Sequence, residues 1–171
     1  GGSNHIGELG YAECMREIIE YDKDNLFTHI VLATGSGGTH SGSILGKTYY
    51  KSNIKIVGIS VKDKKNDQEE KVFKLAQLAC EFVSCEQPQR EDVLVFDNYV
   101  GGGYGVPTEG MKEAVKLMAT KEGILLDPVY SGKGFDGLQD LISKKYFKDT
   151  DKLLFIHTGG AASLSAYEWA F

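Results

Sequence analysis

Proline and cysteine are scarce in this 171-residue chain, with three of each, and tryptophan occurs once. The odd set Cys14, Cys80 and Cys85, with no CxxC pair, excludes a disulfide framework and predicts buried thiols in a reducing, cytoplasmic compartment. No apolar run approaches the roughly 20 residues of a membrane-spanning helix, and no charged-then-apolar leader opens the chain. Charge of one sign is missing too: 19 Lys and Arg stand against 24 Asp and Glu, mixed along the chain, so no basic face argues for nucleic acid. The mixed-sign run Lys62 to Lys71 reads as a solvated loop and helix start. No Cys/His/carboxylate spacing suggests a metal site, and no G-x-S-x-G elbow suggests a serine hydrolase.

What is abundant is glycine, 21 residues, clustered at a few places that imply special turns and not low complexity. Between those clusters, apolar periodicity predicts alternating elements. Asn4 or Ser3 caps a helix carrying Ile6, Leu9, Ala12, Met15, Ile18 and Ile19. Strands are predicted at His29–Ala33, Ile54–Ser60, Val93–Phe96, Ile124–Leu126 and Leu153–His157. Helices are predicted at Thr39–Tyr50, Asp67–Phe82, Thr108–Lys121, Gly132–Lys145 and onward from Ala161. Gly42 and Gly46, one turn apart, would let their helix lie close to a sheet. The alternation implies an α/β fold, a doubly wound and mainly parallel sheet with helices on both faces, in one domain over residues 1–171.

In such sheets ligands sit beyond the carboxyl ends of the strands, and there the glycines collect. Gly35-Ser36-Gly37-Gly38-Thr39 exposes successive amides where a helix begins, a phosphate cradle that needs no lysine. A tight turn with glycines only for packing is the plainer alternative, disfavoured by the two flanking hydroxyls. The dinucleotide fingerprint fails because His40 stands where a glycine is required, and Gly46-Lys47-Thr48 lies too deep in a helix to serve as a Walker loop. Tyr99 and Tyr104 frame Gly101-Gly102-Gly103, Tyr130 and Ser131 follow Asp127-Pro128-Val129, and Thr158 precedes Gly159-Gly160. As a set on one sheet edge these side chains predict a pocket for a flat heteroaromatic ring.

These motifs, in order and together with Gly1-Gly2-Ser3-Asn4, resemble the pyridoxal-phosphate family of D-cysteine desulfhydrase and 1-aminocyclopropane-1-carboxylate (ACC) deaminase over essentially the whole chain. The resemblance implies the tryptophan-synthase-β type of fold, a PLP fold-type II enzyme, with pyridoxal 5′-phosphate as cofactor. It implies that Gly35, Ser36, Gly37, Gly38 and Thr39 hold the cofactor phosphate, that Ser131 and Thr158 belong to the cofactor site with Thr158 approaching the pyridine nitrogen, and that Tyr130 and Tyr104 flank a small D-amino acid substrate. Deaminases of the family carry Glu after the Val-Tyr pair and Leu before the Gly-Gly pair. Ser131 and Thr158 stand there instead, as in desulfhydrases, and an uncharged hydroxyl near the ring nitrogen suits β-elimination of sulfide. The family's Schiff-base lysine and its Ser-Asn-His segment have no counterpart in this sequence. An N-terminal portion is therefore expected to be absent, the isolated piece to be inactive, and the uncovered apolar surface to drive homo-oligomer formation with swapped elements.

Overall fold

The computed structural model describes residues 2–24 and 26–171, so Gly1 of the opening motif lies outside the described residues. Asn4 caps α1 (His5–Tyr21), its side chain accepting from the Ile6 and Gly7 amides at 3.0 Å each. Ser3, the other candidate cap, turns away and donates to Ser36 Oγ at 2.7 Å.

Next come β1 (His29–Thr34), α2 (Gly38–Tyr49), β2 (Lys55–Ser60), α3 (Lys65–Phe82), β3 (Leu94–Phe96), α4 (Glu109–Glu122), α5 (Ser131–Ser143) and β4 (Leu153–Ile156). The four strands are parallel in the order β3-β2-β1-β4, with β1 central and paired from His29 against both Lys55 and Leu153. Alternate residues of β1 divide between two cores, as the two-residue period of a strand requires. Ile30 and Leu32 join Met15, Ile44, Val72 and Ala76 on one face, while Val31 joins Leu138, Leu141 and Phe147 on the other. This is the doubly wound α/β arrangement expected. Among the described residues no helix is long and apolar enough to cross a membrane.

Three expectations change. The apolar triplet Ile124–Leu126 is not a strand: it pairs with no strand of the sheet, Ile124 and Leu125 are exposed, and only Leu126 enters a core, beside Met111 and Val115. A short apolar run carries no information about whether a partner exists. The segment after Ala161 is a 3-10 stretch, Ala161–Ala170, kinked at Tyr167, with Ala170 alone buried. It presents no continuous apolar face that would favour an α-helix. Finally, Gly42 and Gly46 face α1 and not the sheet. A Cβ at Gly42 would stand 2.6 Å from the Glu8 carbonyl oxygen, and one at Gly46 would stand 2.5 Å from Met15 Cβ. The glycines permit helix-on-helix contact at backbone distance.

Candidate functional site

β1 is buried along its whole length, so the chain emerges for the first time at its carboxyl end. Gly35, Ser36 and Gly37 then reverse it into α2. Gly37 has φ 97°, a left-handed conformation that side-chain-bearing residues rarely adopt, and it caps α2 with no side chain bonded to the first turn. Among the described residues, the N–H groups of Ser36, Gly37, Gly38 and Thr39 find no protein acceptor, and the first satisfied amide is Ser41, bonded to the Gly37 carbonyl at 2.8 Å. Unpaired amides and the positive end of the helix dipole give this turn the donors that an anion would need.

The turn is braced from behind by α3. Gln68 Nε2 donates to Thr34 Oγ1 at 2.8 Å, and Lys71 Nζ donates to the Gly35 carbonyl at 3.1 Å while pairing with Asp63. Lys71 is thus not part of the solvated run predicted from Lys62 to Lys71. Its ammonium satisfies a carbonyl, which frees the amide side of the loop to face outward.

That outward face is a cavity of about 270 Å³. Gly35, Ser36, Gly37, Thr39, Tyr130 and Thr158, all predicted from sequence, line it, and Tyr11, Ala33, Thr34 and His40 complete it. Gly35 admits the Tyr130 ring at close range, since a Cβ there would lie 3.1 Å from Tyr130 Cε1. Gly38 contributes only backbone, as the first residue of α2 packed against Ser3. His40 is wholly buried, with neither ring nitrogen in a hydrogen bond of good geometry. Burial lowers its pKa to about 4, with a weak backbone contact at Ile56 acting the other way, so the ring is neutral. A larger depression, about 480 Å³, opens near His29 and Lys55 at the opposite, amino end of the strands, away from this constellation.

Tyr130 is fixed by Asp127. The Asp127 carboxylate accepts from the amides of Val129 at 2.9 Å, Tyr130 at 2.8 Å and Ser131 at 2.6 Å, and from Ser131 Oγ at 2.7 Å. Ser131 Oγ in turn accepts from the Asp127 amide at 2.7 Å. The Ser131 side chain is therefore turned into this knot, not among the residues lining the cavity. Tyr130 and Tyr104 share a hydrogen bond of 2.7 Å with rings edge to face, 5.8 Å between centroids. Burial and then the Tyr104 hydroxyl push the Tyr130 pKa up to about 12, so it keeps its proton at neutral pH.

Tyr104 rides on the glycine-rich loop after β3, held by Lys133. That side chain is fully buried inside α5 and donates to the carbonyls of Val100 at 2.7 Å and Gly103 at 3.1 Å. Tyr167 adds a hydrogen bond to the Gly105 carbonyl at 2.8 Å. Thr158 projects from the turn after β4, where His157 Nδ1 accepts from the Gly159 amide at 3.0 Å and its Nε2 meets the Leu125 carbonyl at 3.1 Å, which assigns the proton to Nε2. Sequence reasoning missed Asp127 and Lys133 as organising groups, although Asp127 opens the Asp127-Pro128-Val129 turn singled out there and Lys133 lies two residues beyond Ser131. An Asp followed by Pro is a turn signal that could have exposed the first. Nothing local announces the burial of the second.

The sequence profile of the pyridoxal-phosphate dependent enzymes matches residues 1–159. Among solved structures, an ACC deaminase homologue superposes with a TM-score of 0.86 at 36% identity, covering 99% of this chain and 50% of its own. A pyridoxal 5′-phosphate-dependent aspartate racemase (TM-score 0.62, 16% identity, 95% and 51% covered) and a maize serine racemase (0.59, 16%, 96% and 53%) share the fold. This chain thus spans about half the length of the structures it matches.

Proposed function

This chain belongs to the pyridoxal-phosphate dependent enzyme family, and from that premise we propose that it supplies the phosphate grip and one wall of the substrate site of a carbon–sulfur lyase acting on D-cysteine. The observation that carries the reading is the run of unpartnered amides from Ser36 to Thr39, opening on a cavity that Tyr130 and Thr158 also line. Four unpartnered donors at a helix start suit a phosphate monoester, and the cavity beside them has the mixed phenol and hydroxyl lining that a pyridine ring would meet.

When bound, pyridoxal phosphate supplies an electron sink for the substrate's α-carbon. The chain's own residues bind and orient. Gly35 to Thr39 hold the phosphate, and Thr158 offers an uncharged hydroxyl to the ring. Tyr130, protonated at neutral pH and hydrogen-bonded to Tyr104, donates toward the substrate and does not act as a base. Ser131 acts indirectly by locking Tyr130 through Asp127. The reaction would convert D-cysteine and water to pyruvate, sulfide and ammonium. No lysine lines the cavity, so the α-proton base is assigned to a residue outside this chain, and the chain alone is expected to bind without turnover.

Titration calorimetry of the full chain with pyridoxal 5′-phosphate tests the grip: saturable binding competed by inorganic phosphate is expected, and no binding, or binding insensitive to phosphate, removes the assignment. Covalent attachment to one of this chain's lysines, seen by mass after borohydride treatment, would contradict the placement of the base. The second reading is ACC deaminase activity, favoured by the 36% identity to the deaminase homologue. Of the two positions that weigh against it, Thr158 has its side chain on the cavity wall. Sulfide and pyruvate from D-cysteine, against 2-oxobutyrate from the cyclopropane substrate, separate the two in the complete enzyme.

A further inference from the structure

The carboxyl end of α3 closes in a motif that brings two thiols together. Ser84 adopts φ 55°, and its amide donates to the Glu81 carbonyl at 3.1 Å while the Cys85 amide donates to the Cys80 carbonyl at 3.0 Å. This paired pattern characteristically presses the first and last side chains of the turn against each other, a position ordinarily filled by two hydrophobic residues. Here it is filled by cysteines. Cys85 packs against the cluster of Leu45, Ala79 and Cys80, the two thiols are within hydrogen-bond contact, and the Cys85 S–H reaches the Glu86 carbonyl at 3.4 Å. The main-chain bond between the two residues keeps their backbones side by side, as closing a disulfide requires. Cys14, on α1, lies outside that cluster.

We propose that Cys80 and Cys85 are a reversible modification site that closes to an intramolecular disulfide on reaction with a small-molecule disulfide. The half-buried Cys85, as its thiolate, attacks one sulfur of the oxidant, forming a mixed disulfide and expelling one small thiol. The Cys80 thiolate then attacks Cys85 Sγ and expels the second. The two protein thiol protons pass to the two departing thiolates, the protein pair loses two electrons, and the oxidant is reduced to two thiols. Burial pushes the Cys80 thiol up to about 12, so Cys80 is the resolving partner, and the second step is slow until Cys85 is already derivatised.

The test is to incubate the full chain with oxidised glutathione, quench with acidic N-ethylmaleimide and measure mass. The expected product is lighter by about 2 Da, the two hydrogens of the dithiol, carries a single maleimide at Cys14, yields a linked Cys80–Cys85 peptide, and reverts with dithiothreitol. Cys14→Ala should leave the linkage intact, and Cys85→Ser, checked for native circular dichroism, should abolish it. A persistent glutathione adduct at Cys85, a linkage through Cys14, or full maleimide labelling of all three thiols after oxidation each overturns the proposal.

Discussion

Two turns meet at the same end of the sheet and use their polar groups in opposite ways. In the turn from β1 to α2, the carbonyl of Gly35 is taken up by Lys71 and the amides of Ser36 to Thr39 are left open. In the turn that begins α5, the Asp127 carboxylate collects three amides and a hydroxyl, and nothing is left for a ligand but the phenol of Tyr130. Open donors leave a turn able to accept an anion. A saturated turn marks where a side chain must be held still. The contrast also explains why glycine dominates the first turn and Asp, Pro and Ser the second: bare amides need backbone freedom, whereas a closed knot needs side-chain acceptors.

The largest expected effect comes from opening the saturated turn. Asp127 is buried, so Asp127→Ala strands three amides and the Ser131 hydroxyl, and should lower unfolding free energy by about 3 kcal/mol or more. Urea denaturation measures this, and a loss below about 1 kcal/mol would show that the knot is not what holds Tyr130.

His40, behind the open turn, should make stability depend on pH. Its folded pKa, about 4, lies below the 6.5 of the unfolded chain. Between those values the unfolded chain binds the extra proton, so stability is full above about 6.5 and falls by up to about 3 kcal/mol as pH drops through 4. His40→Phe should flatten that slope, as followed by melts from pH 7 to pH 4. An unchanged slope assigns the acid sensitivity elsewhere.

Gly37→Ala tests the open turn directly. Forcing a Cβ into φ 97°, 3.0 Å from Leu75 Cδ1, should cost about 1–2 kcal/mol of stability and weaken pyridoxal phosphate binding together with inorganic phosphate competition. A variant that lost stability but kept affinity would mean that the amides are not the grip. The smallest effect belongs to Tyr104→Phe. It removes a hydrogen bond worth about 1 kcal/mol at most at a half-exposed site, yet it should move the Tyr130 titration downward from about 12. Ultraviolet titration of the phenols reads that shift.

Most elements could be read from spacing. The strands beginning at His29 and Leu153, and the helices ending at Phe82 and near Lys121, fall within a residue or two of their predicted bounds because each has a full buried face to advertise. The turn after β1 was legible for a different reason: three glycines within four residues after a buried strand mark a sharp reversal into the next helix. Ile124–Leu126 misled because its apolar side chains are compatible with a strand, whereas the segment joins no strand of the sheet and two of its three side chains stay exposed. Gly42 and Gly46 declared a close approach without naming the partner, which proved to be α1. The assignment of Ser131 to the cofactor, implied by the family resemblance, meets a side chain already engaged by Asp127.

By itself, the sequence determined the order of strands and helices, the left-handed turn at Gly37 and the collection of glycines, hydroxyls and phenols at strand ends. These follow from local periodicity and backbone freedom, which neighbouring residues set. Only tertiary structure decided which of those polar groups remain open. Lys71 meets Gly35 from 36 residues away and Lys133 meets Val100 from 33. Whether a donor is free or satisfied depends on partners that the fold alone brings within 3 Å.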